Sequence, residues 1–252
     1  SKPCSLALVA LNGIDATKEL AGEIDVLIVT TFDLDEYVFG ALRAGAAGFL
    51  LKDAPPDTLM RRINHQLPSD INILGIQKVR HTFHARHSAR SRTYIYQVAR
   101  RRTAFAKPFV WWVKDDLDVA RMRQLGERLV GFHDFRSFSD DDPGKKSTTV
   151  QLNALEIQEF GDLILFRVEG SHFIWKMVRR LVGVIVEVGR RGLSADEAVA
   201  MLSTDSELPA RLTAPASGLF LEQVRYDGDS TPRRSIGVGG HLLWTVPDVD
   251  SS

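Results

Sequence analysis

The stretch VQLNALEIQEFGDLILFRVE, residues 150–169, decides the fold class. Apolar and polar residues alternate over Val150–Gln158 and again over Asp162–Glu169, the period of two expected of a half-buried strand. Between the runs, Glu159-Phe160-Gly161 reads as a hairpin turn. Such a hairpin needs a second layer to bury its apolar face, and the residues that follow supply one. Over His172–Val188 the residues Phe173, Ile174, Met177, Val178, Leu181, Val184, Ile185 and Val188 recur at helical spacing, which predicts a long, largely buried helix. Upstream, Arg92–Ala99 (RTYIYQVA) alternates, with Tyr94, Tyr96 and Val98 on one face; downstream, Leu219–Tyr226 predicts one more strand. Two shorter helices are predicted: Val119–Val130, capped by Asp118 and stopped by Gly131, and Ser194–Leu202, opened by a Ser194/Glu197 capping box. Strands grouped with helices on one side predict an α+β fold with an antiparallel sheet.

The first sixty residues read differently. Asp25–Thr31 and Ala47–Leu51 are short apolar runs suited to strands buried on both faces. A helix fits between them, with Asp33 and Glu36 at its start and Gly45 at its end. This predicts a βαβ unit with parallel strands. The segments TTFDLDEYV and AGFLLKDA resemble the second half of a response-regulator receiver domain. That resemblance implies phosphoryl contacts at Thr30 and Lys52. Residues 1–11 hold no Asp or Glu, however, and phosphoryl chemistry without a carboxylate cluster has no magnesium ligands. The expected organisation is therefore a partial receiver-like fragment at 1–60, a larger domain at 61–228 and a tail at 229–252.

The chain has 252 residues, 32 Lys and Arg, and 32 Asp and Glu, but the charges are segregated. Residues 1–60 carry 4 cations and 9 acids, residues 61–125 carry 14 and 4, and residues 126–252 carry 14 and 19. The central block, at net +10, is interleaved with Tyr94, Tyr96, Phe105, Trp111 and Trp112, the mixture that phosphate binding and base stacking require. No apolar run reaches the ~18 residues of a membrane span. The single cysteine, Cys4, excludes an internal disulfide and a thiolate zinc site, and the expected compartment is the cytoplasm. Neither metal nor cofactor is expected. His84 and His87 suit a metal by type but lack a third ligand at suitable spacing.

Arg179 and Arg180 stand out in the predicted buried helix, because a guanidinium among apolar residues needs an anion or solvent. Of the acids, Asp70, Asp134 and the Asp140–Asp142 loop read as turn and cap residues.

Five segments in order, LPSDINI at 67–73, FHARHSARSRTYIYQV at 83–98, FHDFRSFS at 132–139, GSHFIWKMVRRLVG at 170–183 and APASGLFL at 214–221, resemble the tRNA pseudouridine synthase A family. The resemblance covers about residues 63–227. It implies a pseudouridine synthase fold, isomerisation of uridine in tRNA, no cofactor, and a homodimer. It implies that Tyr94 stacks on the target base, that Arg179 pairs with the catalytic carboxylate, and that Arg86, Arg90, Arg92 and His84 lie near RNA. The family's nucleophilic aspartate belongs to a Gly-Arg-Thr-Asp segment, which these 252 residues do not contain. The expectation is a family member impaired in catalysis. The competing expectations are a non-catalytic RNA-binding protein and a signalling module in which the receiver-like fragment regulates RNA binding.

Overall fold

A computed structural model describes residues 13–20, 26–30, 40–46, 48–51, 55–141 and 147–229. The chain divides into two compact units between Phe83 and His84.

In the first unit, helix α1 spans Gly13–Leu20, and strands β1 (Leu27–Thr30) and β2 (Gly48–Leu51) pair in parallel, Leu27 opposite Gly48. Residues 40–43 between them are helical and end in a Schellman turn: Ala46 N–H donates to the Ala41 carbonyl at 3.1 Å, with Gly45 at φ +92. The parallel pair and the glycine stop agree with the periodicity. The Asp33/Glu36 cap and Lys52 lie outside the described residues, and Thr30 ends β1. Helix α2, Pro56–Gln66, lies against β2 and so joins this unit, although composition alone separates it at residue 60. Its start carries a signal of its own, Pro56 in the first turn followed by Asp57. Asn64 then holds the LPSDINI segment through two bonds to the backbone of Ile73, at 2.7 and 2.8 Å.

The second unit is α+β. Its six-stranded sheet comprises β3 (Ser91–Ala99), β4 (Trp111–Trp112), β5 (Gly131–Asp134), β6 (Thr149–Phe160), β7 (Leu163–Gly170) and β8 (Leu219–Arg225). The order is β4-β3-β7-β6-β5, with β8 also paired to β3. Pairing is antiparallel except at β3–β4, where Val98 faces Trp111 in parallel. The hairpin turn is Gly161-Asp162, with Gly161 at φ +57, one residue later than the alternation suggests. Along β6 the buried side chains are Val150 and Leu152, then Leu155 and Ile157, so the buried parity switches mid-strand. The register explains this: Leu152 faces Gly170 while Ala154 faces Glu169, leaving Asn153 as a bulge that rotates the strand by one residue.

Helices α3 (Val119–Leu129), α4 (Met177–Gly189), α5 (Ala195–Ala200) and α6 (Leu208–Arg211) complete the unit. Asp118 accepts from Arg121 N–H at the start of α3, and the Ser194/Glu197 capping box at α5 is complete. The core joins Met122, Leu125 and Leu129 of α3 to Leu181, Val184 and Ile185 of α4 and to Phe166 and Val168 of β7. Helix α4 begins five residues later than its apolar periodicity predicts. Lys176 is left-handed at φ 63, a conformation costly for a residue with a Cβ, and the chain before it is held by a carboxylate instead of a helical turn.

Candidate active site

The family-like residues of the second unit gather around β3, the approach to α4 and the segment 212–218. The turn 84–90 that leads into β3 is organised by Arg92. Its guanidinium donates to the carbonyls of Ala89 at 3.1 Å, Ser171 at 2.7 Å and Arg86 at 2.6 Å. One side chain thus ties this turn to the loop before α4. His84 acts within the same turn: its Nδ1 accepts from the backbone N–H groups of Arg86 and His87, at 3.2 and 3.3 Å. Those bonds place the ring proton on Nε2. Arg90 forms a bidentate, exposed pair with Asp227, both contacts at 2.6 Å. Arg86 is exposed, and its guanidinium has no protein partner among the described residues.

Two residues beyond Arg92, Tyr94 is half-buried and meets the edge of Phe173, ring centroids 5.2 Å apart. Tyr96, on the same face, is fully buried and donates its hydroxyl proton to the Pro215 carbonyl at 2.7 Å. Burial pushes its phenol well above the usual range, against the pull of the nearby Arg179 guanidinium. Arg179, in the first turn of α4, donates from Nε to the Ala214 carbonyl at 2.6 Å, while its own carbonyl accepts from Ala214 N–H at 3.1 Å. Tyr96 and Arg179 are therefore fastened to the same strip, Ala214-Pro215, and Tyr94 lies one step along β3. This close approach requires glycine: a Cβ at Gly218 would lie 2.7 Å from the Tyr96 ring.

The adjacent Arg180 is different. It is 4% exposed and pairs with Asp140, which also takes Lys176 at 2.7 Å. Asp141 accepts from Trp175 N–H at 3.0 Å. Neither arginine points freely into solvent. Asp140 and Asp141, which read as a flexible loop in the sequence, are the clamp that sets the start of α4. Hydrogen bonding from Lys176, then from Arg180, holds the Asp140 carboxyl below the usual carboxylate range. Asp134 accepts from Thr148 Oγ1 at 2.6 Å and Arg136 Nε at 2.8 Å, a cap role. Asp70 lies in the first unit. Among the described residues no carboxylate pairs with Arg179, and no cluster of His, Cys, Asp and Glu could hold a metal ion. No helix among them is long and apolar enough to cross a membrane.

Phe173 and the carbonyl strip at 214–215 escape a search for titratable groups. As site residues they are legible only as members of the segments GSHFIW and APASG.

Residues 126–227 match the tRNA pseudouridine synthase family. The chain is 34% identical over 166 residues to tRNA pseudouridine synthase A 2 of Bacillus cereus, covering 65% of this chain and 68% of that protein. It is 34% identical over 175 residues to tRNA pseudouridine synthase A of Exiguobacterium sp., covering 69% and 71%. Against tRNA pseudouridine synthase A of Caulobacter sp. it is 33% identical over 183 residues, covering 71% and 74%. With two thirds or more of each relative's length matched at this identity, the chain belongs to the tRNA pseudouridine synthase A family.

Proposed function

We propose that this chain binds tRNA, receives an extruded uridine against Tyr94 with Arg179 beside it, and is impaired in isomerising that uridine when these 252 residues act alone. Isomerisation exchanges the bond from the ribose C1′ to uracil N1 for one to C5 and releases the C5 proton. A base reached in this way must leave its stack, at a cost of a few kcal/mol that an aromatic face partly offsets. Tyr94, wedged by Phe173 on a rigid strand, supplies such a face. Arg179 supplies a planar fork suited to aiming a carboxylate.

One observation carries the reading. The Arg179 Nε is tethered to Ala214, which fixes the guanidinium, while no Asp or Glu among the described residues pairs with it. Among the described residues, this reading has the cation and the aromatic but not the acid that would make the covalent bond.

The test is tritium release from a tRNA transcript carrying 5-tritiated uridine, beside a binding titration at several salt concentrations. Expected are tRNA binding that weakens steeply with salt and no tritium release at protein concentrations equal to the RNA. Release in proportion to protein, lost in Arg179→Ala, would overturn the impairment. Absent tRNA binding would overturn the whole reading.

A further inference from the structure

The basic, aromatic block contains a second feature that the Tyr94–Arg179 region does not use. Residues 100–107, RRRTAFAK, hold four cations and no acid. The loop they open is built, with a small core of its own in Ala99, Ala106 and Val110, against which Leu163 packs. Thr103 Oγ1 accepts from Ala106 N–H at 3.3 Å, Gln97 donates to the Phe109 carbonyl at 3.0 Å, and Arg100 N–H donates to the Asp162 carbonyl at 2.8 Å. Arg100 and Arg101 pair with Glu159 and Asp162 and so fasten the loop to the β6–β7 turn.

What this fixed loop presents is unusual. Phe105 is 93% exposed, Phe109 45% and Trp112 36%. The Arg102 guanidinium lies 4.4 Å from the Trp112 ring centroid. Neither Arg102 nor Lys107 has an acidic partner among the described residues. Trp111, by contrast, turns inward onto Tyr96, centroids 6.4 Å apart. Single exposed apolar residues need no explanation. Three exposed aromatic rings and two cations without an acidic partner among the described residues, all within eleven residues of a loop held by its own core, do.

We propose that this surface is a second RNA contact, at which unpaired nucleotides of the bound tRNA stack on Phe105 and on the Arg102–Trp112 pair while Arg102 and Lys107 meet phosphates. RNA fits better than a second protein copy. A protein would have to desolvate both cations without an acid on this loop to pair them, whereas a nucleotide brings a π-face and a negative charge together. Tyr94 and Ala99 are five residues apart on β3, about 17 Å of strand at ~3.3 Å per residue, so the contact is separate from the base-receiving residues and lies on the same unit. The proposal rests on the tRNA-binding reading above.

The experiment titrates the full chain with an unmodified tRNA transcript, comparing wild type, Phe105→Ala, the double variant Arg102→Gln/Lys107→Gln, and Tyr94→Ala. Circular dichroism melts confirm folding of each. Phe105→Ala is expected to weaken binding at least about fivefold with the salt slope unchanged, the scale of one lost stacked base. Arg102→Gln/Lys107→Gln is expected to weaken binding and to lower the slope of log affinity against log salt by about 1–2. If wild type binds and Tyr94→Ala weakens it while the loop variants bind normally, the second contact is refuted and the base-receiving site stands. If wild type does not bind tRNA, both readings fall. If Phe105→Ala changes only the oligomeric state in sedimentation, the surface joins protein copies and the RNA contact is wrong.

Discussion

Replacing Gly183 with alanine sets two physical effects of opposite sign against each other. Gly183 lies in the middle of α4, and helix propensity alone makes the substitution stabilising by about 1 kcal/mol. Packing opposes it. An added Cβ would overlap the Leu212 carbonyl oxygen and lie 2.8 Å from its carbonyl carbon and 3.3 Å from Ala214 N. These are backbone atoms, so no side chain can rotate away. The segment 212–214 would have to retreat by roughly 1.5 Å to restore ordinary contact. It is held in place by the two bonds to Arg179, 2.6 and 3.1 Å long, and moving α4 instead would open the core around the fully buried Leu181, Val184 and Ile185. Overpacking of this kind costs about 1–3 kcal/mol. Weakening one charged and one neutral hydrogen bond adds about 2–3 kcal/mol. After subtracting the propensity gain, Gly183→Ala should be destabilised by about 2–5 kcal/mol, a fall of roughly 5–20 °C in Tm. Urea unfolding followed by tryptophan fluorescence measures it. Gly75→Ala is the control, since a Cβ there meets nothing within 4 Å, and should stay within about 0.5 kcal/mol of the parent or slightly above it. A Gly183→Ala variant as stable as the parent would refute the close seat of α4 on the strip that aims Arg179.

Asp140→Asn should destabilise the second unit by about 1–3 kcal/mol, because it leaves the buried Arg180 guanidinium under-compensated. Adding Arg180→Met should recover part of the loss; a double variant worse than Asp140→Asn would contradict the pairing. Ser194→Ala removes the capping box of α5 and should cost about 0.5–2 kcal/mol in the same unfolding assay, an unchanged midpoint counting against the cap. The carboxyls of Asp118, Asp140 and Glu159 are all held below their ordinary values, by the Arg121 N–H, Lys176 and Arg100 respectively. Groups depressed in this way stabilise the fold above their unfolded pKa of about 4 and lose that contribution as pH falls through the lower folded values. His172 is also depressed, by burial and then by Arg92, so its contribution declines earlier, as pH drops below about 6.5. Unfolding free energy measured from pH 7 to 3 should therefore fall, most steeply below about pH 4 where the depressed carboxylates lose their partners. A pH-independent profile would be incompatible with these environments.

How much of this was legible in sequence follows from the range of the forces involved. The hairpin and the Asp118 and Ser194 caps are set by neighbours a few residues apart, and the sequence places the caps where they are found and the hairpin turn within one residue; the parallel β1–β2 pair follows from the short crossover between its two apolar runs. The bulge at Asn153 is recoverable in hindsight, since the apolar positions shift from Val150 and Leu152 to Leu155 and Ile157. The start of α4 is not recoverable. Apolar spacing runs smoothly from Phe173 to Val188, and what ends the helix at Met177 is Asp141 taking the Trp175 N–H from 34 residues away. That displacement changes the chemistry. A helix starting at His172 would place both arginines in mid-helix, where the helix dipole has little effect. Starting at Met177, it places Arg179 in the first turn, where the dipole disfavours a cation by about 0.3–1 kcal/mol. Arg180, just behind it, is answered by Asp140, but among the described residues Arg179 has only the dipole of the Ala214 carbonyl. Two like charges at the positive end of a helix, one neutralised and one not, leave a residual field that favours an anion beside Arg179. The fold thus holds this guanidinium where an arriving carboxylate or phosphate would stabilise it most.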